Sequence, residues 1–120
     1  MALRAFRGAV QVDHDEREEI HSATAELVAE VLKRNELDND DLVCIYFTAT
    51  PDLTADFPAY AARQMGFTDV PLMCSVEMAV PNSMPRVVRL MALANSDRRR
   101  SEVKHVYLRG AQALRRDLAT

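Results

Sequence analysis

The segment from Glu16 to about Asn35 constrains the fold most, because it has the pattern of one long amphipathic helix. Its apolar residues recur at helical spacing, and charged residues occupy the other faces. Asp13, with Glu16 three residues later, resembles a capping box that opens the helix. A helix with one apolar stripe buries that stripe on one surface, and we expect this surface to be a sheet. The apolar positions are Ile20, Ala23, Leu27, Val28, Val31 and Leu32.

Segments of strand length precede and follow this helix. Residues 3–12 alternate well enough for a first strand, and Leu42–Phe47 is almost continuously apolar, as in a central strand covered on both faces. Three further strands are predicted at Val70–Val76, Arg86–Ala94 and Val103–Leu108.

A short second helix is predicted from about Phe57 to Met65. Asp56 can cap its start, Pro58 lies in its first turn, and Gly66 can end it. The order of elements predicts an α/β protein of α+β-like character, with a mixed five-stranded sheet flanked by one long and one or two short helices. Crossover connections should come first and antiparallel pairing at the end.

The length of the chain limits where a functional site can lie. The 120 residues form one predicted domain, residues 1–120, which is short for a deep cleft of its own. Subunit interfaces are therefore a plausible place for a site.

Composition and charge exclude several classes of partner. With 15 Lys plus Arg against 18 Asp plus Glu, the net charge of -3 gives no general attraction to nucleic acid or to an anionic membrane. Cys44 and Cys74 lie too far apart for a CxxC pair, which favours reduced thiols and a cytoplasmic protein. The N-terminus lacks an apolar signal core, and no segment is apolar enough for a membrane span.

Two arginines interrupt strands that should be apolar. In period-two geometry Arg89 shares a face with Val87, Met91 and Leu93, and Arg7 repeats the pattern in the first strand. Each arginine alone can pair with a core carboxylate or reach solvent from an edge strand. Together they suggest a site for a small dianion.

The usual catalytic motifs are missing. His14, His21 and His105 form no HExxH pattern, and no GxSxG motif or glycine-rich phosphate loop occurs. We therefore propose no metal site and expect no nucleotide chemistry. The run Arg98–Arg100 is typical of a solvated loop, with phosphate binding as the weaker interpretation.

Three other residues admit both a functional and a structural interpretation. Cys74 is a small core residue or a ligand contact, and Glu77 is an exposed strand end, an arginine partner or a site residue. Because their strand parities differ, both face one ligand only if the strand bends or stops between them. Tyr107 fits either a packed ring or a substrate contact.

A set of short motifs over nearly the whole chain adds a further signal. In chain order the motifs are Arg7-Gly8-Ala9, Thr48-Ala49-Thr50-Pro51-Asp52-Leu53, Phe57-Pro58-Ala59, Val70-Pro71, Cys74, Glu77-Met78, Arg89, His105-Val106-Tyr107-Leu108, Gly110-Ala111 and Leu114-Arg115. Their order and spacing, and the length of the chain, resemble the monofunctional, trimeric chorismate mutases of bacteria. The resemblance implies a homotrimeric pseudo-α/β-barrel with active sites between neighbouring subunits.

The resemblance also implies catalytic and binding roles. Arg7 and Arg89 would bind the two carboxylates and the ether oxygen of chorismate, with Arg89 closest to the breaking bond. Glu77 and Cys74 would meet the ring hydroxyl. Tyr107 would help to hold the enolpyruvyl carboxylate.

Peripheral roles follow from the same resemblance. Phe57 and Leu114 would supply apolar walls, and Arg63 and Arg115 positive charge near the entrance. Tyr60 stands where the family pattern can carry a lysine, so an ionic contribution at that position is in question. The tail from Leu114 onward should be mobile unless a ligand orders it.

The implied reaction is the rearrangement of chorismate to prephenate in phenylalanine and tyrosine biosynthesis. This pericyclic step needs no nucleophile, proton shuttle, metal or cofactor, which agrees with the missing motifs. Catalysis would come from restricting the conformer and from stabilising charge as the ether bond breaks. The alternative is a non-catalytic trimeric module that senses a carboxylate of the aromatic pathway.

Overall fold

The computed structural model describes residues 1–114 of the chain. The strands are β1 (Ala2–Gln11), β2 (Leu42–Ala49), β3 (Leu72–Val76), β4 (Val87–Ser96) and β5 (Val106–Leu108), and the helices are α1 (Arg17–Arg34) and α2 (Pro58–Gln64). Short 3-10 turns occupy Asn39–Asp41, Arg100–Glu102 and Arg109–Ala113. The mixed five-stranded sheet with one long and one short helix confirms the predicted fold class.

The strands lie in the order β3-β2-β4-β1-β5. β4 is antiparallel to both β1 and β2, while β3 runs parallel to β2 across the α2 crossover. The expected antiparallel pairing at the end of the chain is correct for β4 and wrong for β5, which pairs parallel with β1. β1 and β2 already occupy both sides of β4, so β5 cannot pair with β4 and joins the sheet at the outer edge of β1.

The helices cover one face of the sheet and form the core with it. Ile20, Leu27 and Val31 of α1 are buried, and Leu32 is partly buried, as the helical spacing predicts. Gly8 lets α1 approach closely, because a Cβ at Gly8 would lie 2.9 Å from Cδ1 of Leu27 and 3.1 Å from the carbonyl oxygen of Val106. The sheet side of this core includes Phe6, Val10, Ile45, Phe47, Leu90 and Ala92.

The first helix starts differently from the prediction. Glu16 is the N-cap residue and its side chain makes no capping hydrogen bond, so the predicted box of Asp13 and Glu16 is wrong. Asp13 lies three residues before the cap, too far upstream to serve the first turn. Instead the carboxylate of Glu19 reaches back and accepts the backbone N–H groups of Asp13 and His14. These hydrogen bonds, with the Asp13 N–H the largest contribution, hold the pKa of Glu19 below its usual value.

The second helix ends as expected but starts one residue later. Phe57 is its N-cap residue, so the predicted capping of the helix by Asp56 is wrong. The Asp56 carboxylate instead accepts the N–H of Phe57, just before the helix, at 2.7 Å. Gly66 follows the helix with φ +98°, a conformation that favours glycine.

No α-helix of residues 1–114 covers the opposite face of the sheet, and the 3-10 turn Arg109–Ala113 packs only on one end of it, where Ala111 joins Ala9 and Val87 in a small buried cluster. Cross-strand pairs put Arg7, Met91, Tyr46 and Met73 side by side on it. Tyr46 is 48% exposed, so the expectation that β2 is covered on both faces is wrong within one chain. We call this surface the bare face; its members are Leu3, Ala5, Arg7, Tyr46, Thr48, Met73, Arg89, Met91 and Leu93.

Candidate active site

Side chains of four strands open onto one cavity on the bare face. Arg7 of β1, Arg89 of β4 and Tyr107 of β5 line this cavity, whose volume is about 230 Å³. Ala9 pairs with Arg89 on one side and with Tyr107 on the other, which brings these two side chains to the same face. We call it the arginine cavity, and its lining residues are Arg7, Gly8, Tyr46, Thr48, Arg89, Leu90, Met91 and Tyr107.

The guanidinium of Arg7 is available for an anion. Within residues 1–114 it takes part in no hydrogen bond and no ion pair. An arginine beside an apolar side chain such as Met91, its cross-strand partner, lacks the compensation that a partly desolvated charge requires. The arginine cavity therefore has the electrostatic character of a binding site for a carboxylate or a similar anion.

Arg89 has a carboxylate neighbour and still lines the arginine cavity. Its Nε lies 3.1 Å from Oε2 of Glu77, and 42% of the Arg89 side chain is exposed. The Nε atom is nevertheless buried without a hydrogen bond to any group in the described part of the chain. The structure therefore places Arg89 both beside a carboxylate and at the arginine cavity, and its binding of a ligand stays a prediction.

Glu77 is fixed by strand β2. The Thr48 hydroxyl donates a hydrogen bond to Oε2 of Glu77 at 2.7 Å, and the Glu77 N–H donates to the Ala49 carbonyl at 2.9 Å. Thr48 is also the cross-strand partner of Arg89. In the sequence Thr48 appears only as the first residue of a motif and receives no role, although its spacing from Tyr46 places it on the same face of β2.

A second cavity lies beside the edge strand β3. Its volume is about 420 Å³, and it contains Phe57 and Cys74. Cys74 belongs to the helix-covered face, since its cross-strand partner Phe47 is in the core. We call it the edge cavity, and its lining residues are Ala49, Leu53, Thr54, Ala55, Asp56, Phe57, Pro58, Cys74, Ser75 and Val76.

The Cys74 thiol is a poor nucleophile in this position. Burial raises its pKa above the usual value, against the hydrogen bond from the Ala59 N–H and the charge of Arg63. The thiol is consequently protonated near neutral pH, and its Sγ accepts the Ala59 N–H at 3.3 Å.

Two aspartates attach the edge-cavity loop to the start of α1. Asp15 accepts the Thr54 hydroxyl at 2.9 Å and the N–H groups of Thr54 and Ala55, each at 3.0 Å. Partial desolvation raises the pKa of Asp15, but these hydrogen bonds outweigh it and the pKa lies below its usual value.

Asp56 holds the same loop from the other side. Its Oδ2 accepts from Arg17 Nε at 3.0 Å and lies 2.8 Å from Nε2 of His21. The Phe57 N–H, followed by His21 and Arg17, keeps the pKa of Asp56 below its usual value despite some desolvation.

Tyr60 packs against α1. Its ring centroid is 5.0 Å from that of His21, and the guanidinium carbon of Arg17 lies 5.6 Å from the ring centroid. Arg17 of α1 thus places a positive charge beside Tyr60, the position in α2 where this chain has no lysine. Arg63, one turn further along α2, is exposed.

The remaining sequence predictions divide between the two cavities. The structure brings Arg7, Arg89 and Tyr107 together, with Glu77 adjoining them. Cys74 lies on the other face with Phe57, so Cys74 and Glu77 of one chain do not face one cavity.

Leu114 is the last described residue of the chain. It packs against a small buried cluster of Ala9, Val87, Tyr107 and Ala111. Arg115 and the rest of the predicted mobile tail lie outside the described residues. Among residues 1–114, no three His, Cys, Asp or Glu side chains gather as metal ligands would, and no helix is long and apolar enough to cross a membrane.

Comparisons with known proteins agree with this geometry. The family model "Chorismate mutase type I" matches residues 3–118. Chorismate mutase AroH of Thermus thermophilus is 48% identical over 117 residues, which cover 97% of this chain and 96% of the relative. Chorismate mutase AroH of Bacillus subtilis (strain 168) is 37% identical over 120 residues, covering 99% and 94% of the two chains.

A solved structure shows the same fold. The chorismate mutase from Clostridium thermocellum, Cth-682, superimposes with a TM-score of 0.90 at 44% identity, covering 92% of this chain and 98% of that one. The family match spans both cavities and all five strands. The chain therefore belongs to the family of type I chorismate mutases, and its function is that of an isomerase of this family.

Proposed function

We propose that this chain converts chorismate to prephenate in the arginine cavity, without a cofactor. The observation that carries the proposal is the pair of guanidinium groups from Arg7 and Arg89 on an otherwise largely apolar surface. A substrate with two carboxylates and an ether oxygen supplies the acceptors that these donors lack. The family match and the named relatives support the same assignment.

Arginine suits the two tasks of a pericyclic catalyst. It must hold the enolpyruvyl arm in a compact conformer, and it must stabilise negative charge on the ether oxygen as the bond breaks. A rigid guanidinium can meet a carboxylate and an ether oxygen together, whereas the ammonium group of lysine is a single point charge. We assign Arg89 to the ether oxygen, and Arg7 with Tyr107 to the carboxylates.

Glu77 orients the substrate in this proposal. Its carboxylate accepts a hydrogen bond from the ring hydroxyl and does not transfer a proton. The ion-pair distance of 3.1 Å to Arg89 supports this role, because it holds the carboxylate beside the arginine cavity.

We further propose that the site is completed by a neighbouring copy in a homotrimer. Phe57 and Cys74 line the edge cavity, and the charge of Arg63 acts on Cys74, while Arg7 and Arg89 of the same chain lie on the bare face. A neighbouring subunit can bring its edge cavity to the arginine cavity. Leu114 and Arg115 would close the apolar and charged border of the site, and Tyr60 would lie at its periphery.

The exposed side chains of the bare face support such an assembly. Leu3 is 53% exposed, Met73 55% and Met91 42%, and they share one continuous sheet surface. A contiguous apolar surface of this kind is typical of a subunit interface.

We also propose a cytoplasmic location. Both cysteines are free within the described structure, and the chain carries a modest net negative charge. This agrees with a biosynthetic enzyme in a reducing compartment.

The decisive experiment is a continuous assay of chorismate consumption. Purified protein should remove the diene absorbance of chorismate, and acid treatment should turn the product into phenylpyruvate. Saturable binding of chorismate without any loss of absorbance would instead identify a carboxylate-sensing module and overturn the proposed reaction.

A further inference from the structure

We propose that Thr48 is a positioning residue of this active site: its hydroxyl holds one oxygen of Glu77 and leaves the other for the substrate. The inference rests on the proposed function, in which Glu77 accepts a hydrogen bond from the ring hydroxyl. Thr48 acts through Glu77 and Arg89.

The two oxygens of the Glu77 carboxylate have different surroundings. Oε2 accepts the Thr48 hydroxyl at 2.7 Å and lies 3.1 Å from Nε of Arg89. Oε1 accepts no hydrogen bond from any group within residues 1–114. The carboxylate is largely shielded, with 18% of the side chain exposed, so its free acceptor matches a hydroxyl donor of a bound ligand.

Thr48 also limits how many hydrogen bonds Arg89 can make to the Glu77 carboxylate. Arginine and carboxylate groups tend to form two parallel hydrogen bonds, which would use both oxygens of Glu77 and turn the guanidinium away from a ligand. In the structure Arg89 Nε makes no hydrogen bond to Glu77, and Thr48 is the residue that donates one. The Thr48 hydroxyl therefore disfavours a bidentate pair of Arg89 and Glu77.

The backbone around Thr48 makes it suited to this task. Thr48 is paired with Arg89 across β2 and β4, and the adjacent Ala49 carbonyl accepts the Glu77 N–H at 2.9 Å. Two consecutive residues of β2 thus fix both ends of Glu77. A threonine in a strand is also stiff about χ1, so its hydroxyl has few alternative positions.

The test removes the hydroxyl with little change in shape. Thr48→Val and Thr48→Ala both lack the donor, while Thr48→Ser retains it. We expect kcat for chorismate to fall about tenfold in the Val and Ala variants, with a smaller change in KM, and to recover in the Ser variant. Testing two variants without the hydroxyl keeps the proposal falsifiable if one of them folds poorly.

A matched control lies in helix α1. Thr24 is buried and its hydroxyl has no hydrogen-bond partner within residues 1–114. Thr24→Val makes the same chemical change away from both cavities, and its kcat should equal that of the wild type. Melting temperatures of all variants then separate loss of folding from loss of positioning.

Coupling to Glu77 provides the specific readout. In a Glu77→Gln background the Thr48→Val substitution should lower kcat much less than in the wild type, because the carboxylate it positions is gone. Equal effects in both backgrounds, or an unchanged kcat in Thr48→Val and Thr48→Ala, would overturn the role of Thr48. Inactivity of the wild type would overturn the proposed function as well, which distinguishes the two failures.

Discussion

Nε of Arg89 lies 3.1 Å from Oε2 of Glu77 but makes no hydrogen bond to it. The pair is close enough for strong electrostatic attraction, while the donor remains unused. A buried donor without a partner is costly, and such groups in folded proteins often mark sites that a ligand completes. The relationship makes Arg89 the most informative residue to mutate.

We expect Arg89→Lys to lower turnover of chorismate by about 100-fold or more, which is typical for loss of one donor to a developing charge. Lysine keeps the positive charge but loses the planar donor set. Steady-state kinetics of the variant provide the measurement. Arg34→Lys, in the helix layer, is the control, and turnover near the wild-type value in Arg89→Lys would contradict the assignment.

Glu77→Gln should reduce activity without creating a new bell-shaped pH profile. The amide keeps the shape and loses the charge, so the hydrogen bond to substrate weakens while no proton transfer is removed. Profiles of kcat and kcat/KM against pH test this. A wild-type optimum governed by a catalytic proton transfer that disappears in the variant would show that Glu77 is an acid or a base.

Leu3→Glu should dissociate the assembly and abolish most activity while leaving the chain folded. It adds a negative charge to the bare face, where burial in an interface would leave that charge unpaired. Sedimentation velocity and circular dichroism give the mass and the fold. Met65→Glu changes an apolar side chain that is 37% exposed at the end of α2 and should remain assembled. Full activity of a variant shown to be monomeric would exclude active sites that are shared between subunits.

Gly8→Ala should lower the free energy of unfolding by about 1–3 kcal/mol, because the new methyl group overpacks the contact between β1 and α1. Chemical denaturation of the purified variant measures this loss. Leu27→Ala removes the side chain that the added methyl carbon would meet at 2.9 Å, so the double variant should lose less stability than the sum of the two single losses. Simple additivity would show that the contact with Leu27 is not the cause.

Stability should fall in acid through the carboxylates of Asp15, Glu19 and Asp56. Their folded-state pKa values lie below the usual values, so the unfolded chain binds more protons at low pH. Their contribution is complete above the ordinary carboxylate pKa of about 4 and is lost as pH falls through the lower folded-state values.

Asp56→Asn tests this directly. The variant should be less stable than the wild type at neutral pH, and the difference in free energy of unfolding should narrow as pH decreases below about 4. Urea denaturation at a series of pH values provides the comparison. Curves that stay parallel across this range would mean that ionisation of Asp56 does not contribute.

Local patterns in the sequence were sufficient to predict the elements of the fold. The helical spacing of Ile20, Leu27 and Val31 identified α1 and its buried stripe, and Gly66 marked the end of α2. Strand register depends on long-range pairing, so the parallel contact of β5 with β1 did not follow from local pattern. The cap of α1 was also missed, since the carboxylate that accepts the Asp13 N–H belongs to Glu19 inside the helix and not to Glu16.

The sequence indicated which arginines line the candidate site, but not how the other side chains are arranged around them. Arg7 and Arg89 stood out because a charge in an apolar strand requires a partner, and the structure places both in one cavity. Thr48 carried no such signal, since threonine is common in strands for reasons of shape alone. The separation of Cys74 from Glu77 depends on where β3 ends, and a one-residue shift reverses the face.

The central position of β4 affects the order in which the chain can fold during synthesis. β1 and β2 do not pair with each other. Both pair with β4, which begins only at Val87. Until β4 has been made, the first strand has no strand to pair with, since β5 comes later still. The segment that precedes β4 therefore carries unpaired strand edges while it emerges from the ribosome, and most of the sheet forms only after β4 has been synthesised.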